Sequence, residues 1–279
     1  MLYFCIDKFM SMKNTVCLIV SFLFFALTSI FAQTHPSPQN LPYSQDFSSF
    51  TGSTTTYPVG WQGWTIAGSL STSFPTDGTN LTDQNLAGGN NATTSAGVYD
   101  MDSKIGILST GSNMKTAVLA INTSGLQNIQ VQYTAQTQRQ QATARTNVLG
   151  LQYRIGTSGT FTTIPGSYYN NDLSLGDNTS GTTALNPQTI TVTLPAACNN
   201  QSDVQLRWVI KDSIGTGGRP GFSLDNISIS GSPLSGTPVN LSASLSTGSE
   251  AASTAITITA TADAPVTSNE TVTLSVTGT

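Results

Sequence analysis

Charge is what this chain has least of. Charged residues make up 9% of its 279 positions, against roughly a quarter in ordinary soluble domains. The balance is slightly acidic, with 10 Lys and Arg against 14 Asp and Glu. No basic patch stands out, so binding of nucleic acid through phosphates has nothing to work with in the visible residues. Glutamate occurs only at Glu250 and Glu270, and the one histidine is His35, in the Pro-rich stretch THPSPQ. Catalysis built on histidine and His-rich metal sites are therefore excluded from the visible chain. No Gly-x-Ser-x-Gly elbow, Cys–His pair or phosphate loop occurs either, so the visible chain carries no catalytic constellation. Of the cysteines, Cys5 and Cys17 fall in or before an apolar leader and Cys198 stands alone after it. No internal disulfide can form in the processed chain. Amphipathic helices with caps are missing as well.

The leader is a secretory signal. Lys13 supplies the positive flank and Val16 to Ala32 (VCLIVSFLFFALTSIFA) the apolar run. Cleavage after Ala32 leaves Gln33 first. Met12 followed by Lys13 reads as the natural start, with Met1 to Ser11 as an over-extended gene prediction. The run is short for a membrane anchor and ends in small and polar residues. The expected product is exported, extracellular or at the cell surface, with no transmembrane segment after cleavage and no lipoprotein cysteine.

Ser, Thr, Gly, Asn and Gln occupy the space charge leaves, and Val, Ile and Thr recur in short runs. Residues 33–40 read as a polar linker. Strands are expected within Leu41–Phe50, Val59–Ala67, Gly97–Met101, Lys104–Ser109 and Lys115–Ile121. Asn128–Gln138 alternates, with Ile129, Val131, Tyr133 and Ala135 on one face and glutamines and Thr134 on the other. Asn147–Gly156, Ile190–Leu194 and Val204–Ile210 repeat the period. Gly68–Ala96 shows no period and reads as a long loop. Gly215–Gly218 (GTGG) reads as a hairpin turn. Many short strands with Gly, Asn and Pro turns predict a sandwich over residues 41–231. Residues 232–238 (starting SPLSG) read as a linker, and three further strands are expected over 239–279.

The strand that closes the sandwich is RPGFSLDNISIS, Arg219 to Ser230. Phe222 and Leu224 share one phase, and Ile227 and Ile229 the other. A slip of one residue flips side chains to the opposite face. Either a β-bulge at Asp225-Asn226 restores the phase or the strand is buried on both faces. Trp61 and Trp64, three apart, point to opposite faces of a strand. One is assigned to the core, and the other is a candidate for stacking on a sugar, as are Tyr168 and Tyr169. Asp100 and Asp102 fall on one strand face. Such a pair could serve glycoside hydrolysis or metal binding, but no neighbouring acid supports it, and they read as solvated carboxylates.

The closing strand resembles the terminal strand of jelly-roll modules, in which an apolar run, an Asp-Asp or Asp-Asn pair and a second apolar run follow one another. The opening Gln45-Asp46-Phe47, with Gly60-Trp61 and Gly63-Trp64, is similar to the start of the same modules, the galactose-binding-like carbohydrate-binding and MAM-type domains. The resemblance implies that first and last strands are neighbours, and that Asp46 and Asp225 help hold a structural calcium. The Glu that often follows the Phe in those relatives is Ser48 here. Val239 to Thr279 resembles a Calx-beta repeat, with Glu250 in Gly248-Ser249-Glu250 as its early calcium ligand. An ordinary Ig-like stalk repeat is the alternative. The whole is similar to exported multidomain proteins of Gram-negative bacteria. The expected fold is all-β: a jelly-roll sandwich followed by an incomplete Ig-like domain. The expected function is a non-catalytic binding or adhesion module for polysaccharide or a cell-surface ligand. The alternatives are an accessory region of a secreted nuclease, peptidase or glycosidase, and a structural stalk.

Overall fold

The computed structural model of the chain describes residues 33–234, 239–244 and 255–262. The chain divides into two compact units, Met1–Ser232 and Pro233–Thr279. Among the described residues the only helical turns are two 3₁₀ segments, Leu173–Leu175 and Ala196–Cys198. In chain order the strands begin with β1 (Gln39–Asn40), β2 (Tyr43–Gln45), β3 (Trp61–Ile66), β4 (Leu81–Gln84), β5 (Leu86–Gly88) and β6 (Gly97–Asp100). They continue with β7 (Ile105–Leu108), β8 (Met114–Asn122), β9 (Leu126–Arg139), β10 (Asn147–Ile155), β11 (Thr162–Thr163) and β12 (Tyr169–Asn170). The last are β13 (Leu185–Thr193), β14 (Val204–Asp212), β15 (Gly221–Pro233), β16 (Val239–Ala243) and β17 (Ile258–Ala262).

The first unit is a two-sheet sandwich. An eight-stranded sheet runs β11-β10-β14-β8-β3-β4, with β1 beside β8 and β12 beside β10. A seven-stranded sheet runs β13-β9-β15-β7-β6-β5, with β2 beside β15. From β7 to β10 and on through β13, β14 and β15, each of these long strands lies in the opposite sheet from the one before. That alternation is the winding of a jelly roll. It also corrects the reading of Gly215–Gly218: this turn carries the chain from β14 in one sheet to β15 in the other and closes no hairpin.

Alternation builds the core. Leu149, Leu151, Leu206 and Trp208 face inward from the first sheet, and Ile129, Val131, Tyr133 and Ala135 from the second; all are 0% exposed. Trp208 spans the interior, stacked on Trp61 at 5.4 Å and edge-on to Tyr133 at 5.5 Å. Such ring contacts add to the area buried. The wet face expected of β9 holds only for its first half. Gln130 and Gln132 are exposed, but Gln138 is fully buried. Its amide donates to Thr182 O and to Asn91 Oδ1, and its Oε1 accepts from Ser223 Oγ at 3.0 Å. Asn91 in turn donates to Asn178 Oδ1 and to the carbonyls of Ser180 and Thr183. Uncharged amides thus satisfy one another where loops cover the sheet, at less desolvation cost than charges would incur.

Three further expectations change. Gly68–Ala96 contains β4 and β5, anchored by buried Leu81 and Leu86. Residues 33–40 are a packed strap: Pro36 is buried and β1 pairs in parallel with β8. Asp102 lies beyond the end of β6 at a positive φ of 59°, so it shares no strand face with Asp100. In the second unit, β16 and β17 form an antiparallel pair running from Val239↔Ala262 to Ala243↔Ile258. The expected third strand over 271–277 and Glu250 lie outside the described residues.

Candidate functional site

The closing strand β15 sits in the middle of the second sheet and meets its phase problem with both devices at once. Phe222, Ser223 and Leu224 are fully buried, so its first half is covered on both faces. Asn226 then adopts φ 50°, and Ile227 and Ile229 return to the core face. Asp225 Oδ1 accepts the Asn226 backbone N–H at 2.7 Å, which holds the kink. At this point the neighbour changes. Phe222 to Leu224 pair with Ile107 to Ile105 of β7, and Ile227 to Ile229 pair with Gln45 to Tyr43 of β2. First and last long-range partners therefore meet beside the bulge.

That meeting creates a cleft lined by Ser44, Asp46, Gln132, Asn226 and Ser228. Asp46 Oδ1 accepts from Ser48 N at 3.0 Å, and that bond holds its carboxyl below the ordinary range. Asp225 is shifted upward, by burial first and by the nearby Asp46 charge, against the pull of Asn226 N–H and Lys104. A calcium ion needs six to eight oxygens. Here two carboxylates share the bulge with a lysine ammonium, and no group of three His, Cys, Asp or Glu side chains gathers among the described residues. A calcium held between Asp46 and Asp225 would have to take most of its oxygens from backbone carbonyls and water.

Two other carboxylates, Asp100 and Asp212, are structural. Asp100, wholly buried, accepts backbone N–H groups from Thr51, Gly52, Thr54 and Asp102 at 2.8–3.0 Å. Burial raises its pKa, but these bonds outweigh burial and hold it below the ordinary value. It is a loop clamp, not a solvated carboxylate. Asp212 accepts from Arg145 at 3.0 Å and from Arg219 at 2.7 Å. Burial pushes the Cys198 thiol up to about 12, which leaves it inert.

Of the aromatic candidates, Trp61 is a core residue, with its ring N–H donating to Tyr43 Oη at 2.8 Å. Trp64 does point to the opposite face, pairing with Thr116 where Trp61 pairs with Leu119. Yet it is 0% exposed. The strap crosses it, with Thr34 O accepting its Nε1–H at 3.1 Å, and Phe161 and the Arg154 guanidinium pack on it. Arg154 and Arg207 both lie over Phe161, at 4.5 and 3.9 Å, and donate only to neutral oxygens, so they pin loops. Tyr169 points inward, edge-on to Phe222, and its hydroxyl donates to Asn186 O. Neither tryptophan, nor Tyr169, presents a ring face to a ligand.

Tyr168 does. It is 48% exposed, and no other Phe, Trp or Tyr among the described residues is exposed. Its ring stacks on Phe74 at 5.7 Å and 15°. Phe74 rests in turn on Gly150 of β10, where a Cβ would come within 2.6 Å of the ring. Lys211 Nζ lies 5.0 Å from the Phe74 centroid. The result is a flat ring held by a second ring on a strand, with an ammonium donor alongside. Sequence reasoning named Tyr168 but missed Phe74, Gly150 and Lys211. Gly150 inside an alternating strand was the available sign of a close approach.

Fold and site together define a jelly-roll β-sandwich with an aromatic platform on one face and a polar cleft on the other sheet. No family model matches the chain, and no curated protein matches it. Among solved structures it is similar to the xylan-binding module CBM15, at 14% identity and a TM-score of 0.35, covering 70% of this chain and 99% of that one. It is also similar to the K3 cleaved adhesin domain of Lys-gingipain from Porphyromonas gingivalis, at 14% identity and a TM-score of 0.35, covering 67% and 97%. A third likeness is the enzymatically active domain of bacteriophage CBA120 tailspike protein 4, at 9% identity and a TM-score of 0.33, covering 66% of this chain and only 21% of that one.

Proposed function

We propose that the sandwich is a non-catalytic carbohydrate-binding module of an exported protein. Tyr168 carries this reading. An exposed aromatic held rigid by stacking offers the apolar face of a pyranose ring a partner at little entropic cost, and Lys211 offers donors to its hydroxyls. The near absence of charge fits a neutral polysaccharide better than an acidic one. The test is binding of the full chain to neutral polysaccharides in affinity electrophoresis, with Tyr168→Ala beside it. Loss of one stacked ring is expected to weaken binding about tenfold, in line with ~1–1.5 kcal/mol. The melting temperature should fall by only a few degrees, because the variant loses one ring stack on Phe74 while half of the Tyr168 ring is already in water. Retention of an unchanged mobility shift in the variant would sink the platform as the site.

A further inference from the structure

The strap that begins at Gln33 is fixed from its second residue onward. Thr34 donates to both oxygens of Asp83, from its N–H at 3.0 Å and its hydroxyl at 2.6 Å. Its carbonyl accepts from Trp64, and its hydroxyl also accepts from Gln62 Nε2 at 3.0 Å. His35 lies edge-on to Trp64 at 5.8 Å, and Pro36 is buried. Gln33 is the exception. Its side-chain Nε2 is buried without a hydrogen-bond partner. A buried amide donor left unmade is a standing cost, and native structures rarely keep one without reason.

Gln33 is also the residue that cleavage after Ala32 would expose. We infer that Gln33 is a modification site: as the first residue of the processed chain it closes to a pyroglutamyl lactam. The α-amino nitrogen attacks Cδ of its own side-chain amide. An N–Cδ bond forms, the Cδ–Nε2 bond breaks, and Nε2 leaves as ammonia with a proton from the amine. No oxidant or co-reactant is needed. The atom lost is the one that lacks a partner, and the terminal positive charge goes with it. Asp83, the carboxylate that anchors the strap, already accepts from Thr34 at both oxygens, so it makes no demand for that charge. The lactam would leave the strap over Trp64 with a blocked end that aminopeptidases do not trim.

The inference rests on export processing at Ala32, and one experiment separates the two. The full chain is exported with its own leader, free amines are labelled on the intact protein at once, and the N-terminal peptide is read by mass spectrometry. The expected peptide starts at Gln33, is lighter by one ammonia and carries no label on its terminus. A labelled terminus at Gln33 would overturn the lactam and leave the processing site standing. A terminus at any other residue would overturn both.

Discussion

Asp100 is a residue on which a whole loop depends. Four backbone N–H groups converge on a carboxylate with no exposed surface. Asp100→Ala leaves those donors unpaired and is expected to cost about 2–4 kcal/mol in chemical denaturation. The pH dependence has a definite sign. A carboxyl whose folded pKa lies below its unfolded value contributes stability that is complete above the unfolded value. That contribution is lost as pH falls through the folded value. Acid titration should therefore show wild-type stability falling below about pH 4, with a shallower fall in the variant. The residue scale is also where sequence reading reaches its limit. The spacing of Trp61 and Trp64 does place them on opposite faces. What hides Trp64 is a strap from residues 33–36 and a ring from Phe161, and nothing local to Trp64 encodes either.

At the scale of elements, β15 was the most legible. Its phase slip follows from period 2 alone, and Asn226 is among the residue types that tolerate a left-handed backbone. Asn226→Gly should be near neutral, within ~0.5 kcal/mol, since glycine adopts φ 50° without strain. Asn226→Val should cost about 1–2 kcal/mol, because a β-branched side chain clashes there. A thermal melt of both variants checks the pair. The change of neighbour from β7 to β2 at this spot was not legible as such, because it depends on where two other strands end. Nor were β4 and β5, which bury little beyond Leu81 and Leu86 and so present no period. Strands with both faces covered, such as β14, read correctly as strands, but the loops covering them did not. Loop cover is written in amides such as Asn91 and Gln138, whose partners lie far off in sequence.

The sandwich is held by packing, alone or with help from a metal. Cys198 is free, so no disulfide ties the described residues together, and Asp46 and Asp225 are the two carboxylates beside the bulge. A structural calcium at Asp46 and Asp225 is tested by a melt of the full chain with and without chelator: a drop of several degrees that is lost in Asp225→Ala is expected if the ion is held there, and no shift would sink it. The position of β15 carries a further consequence, for timing. It lies between β9 and β7, so until it arrives the second sheet is two separate pieces, and β2 has nothing to pair with. A chain ending at Arg219 should therefore show none of the cooperative unfolding of the intact sandwich, in circular dichroism or calorimetry. During synthesis the earlier strands of the sandwich must wait, incomplete, for β15. A sandwich whose last strand is its keystone stays threadable until that strand has been delivered, whatever follows it in the chain.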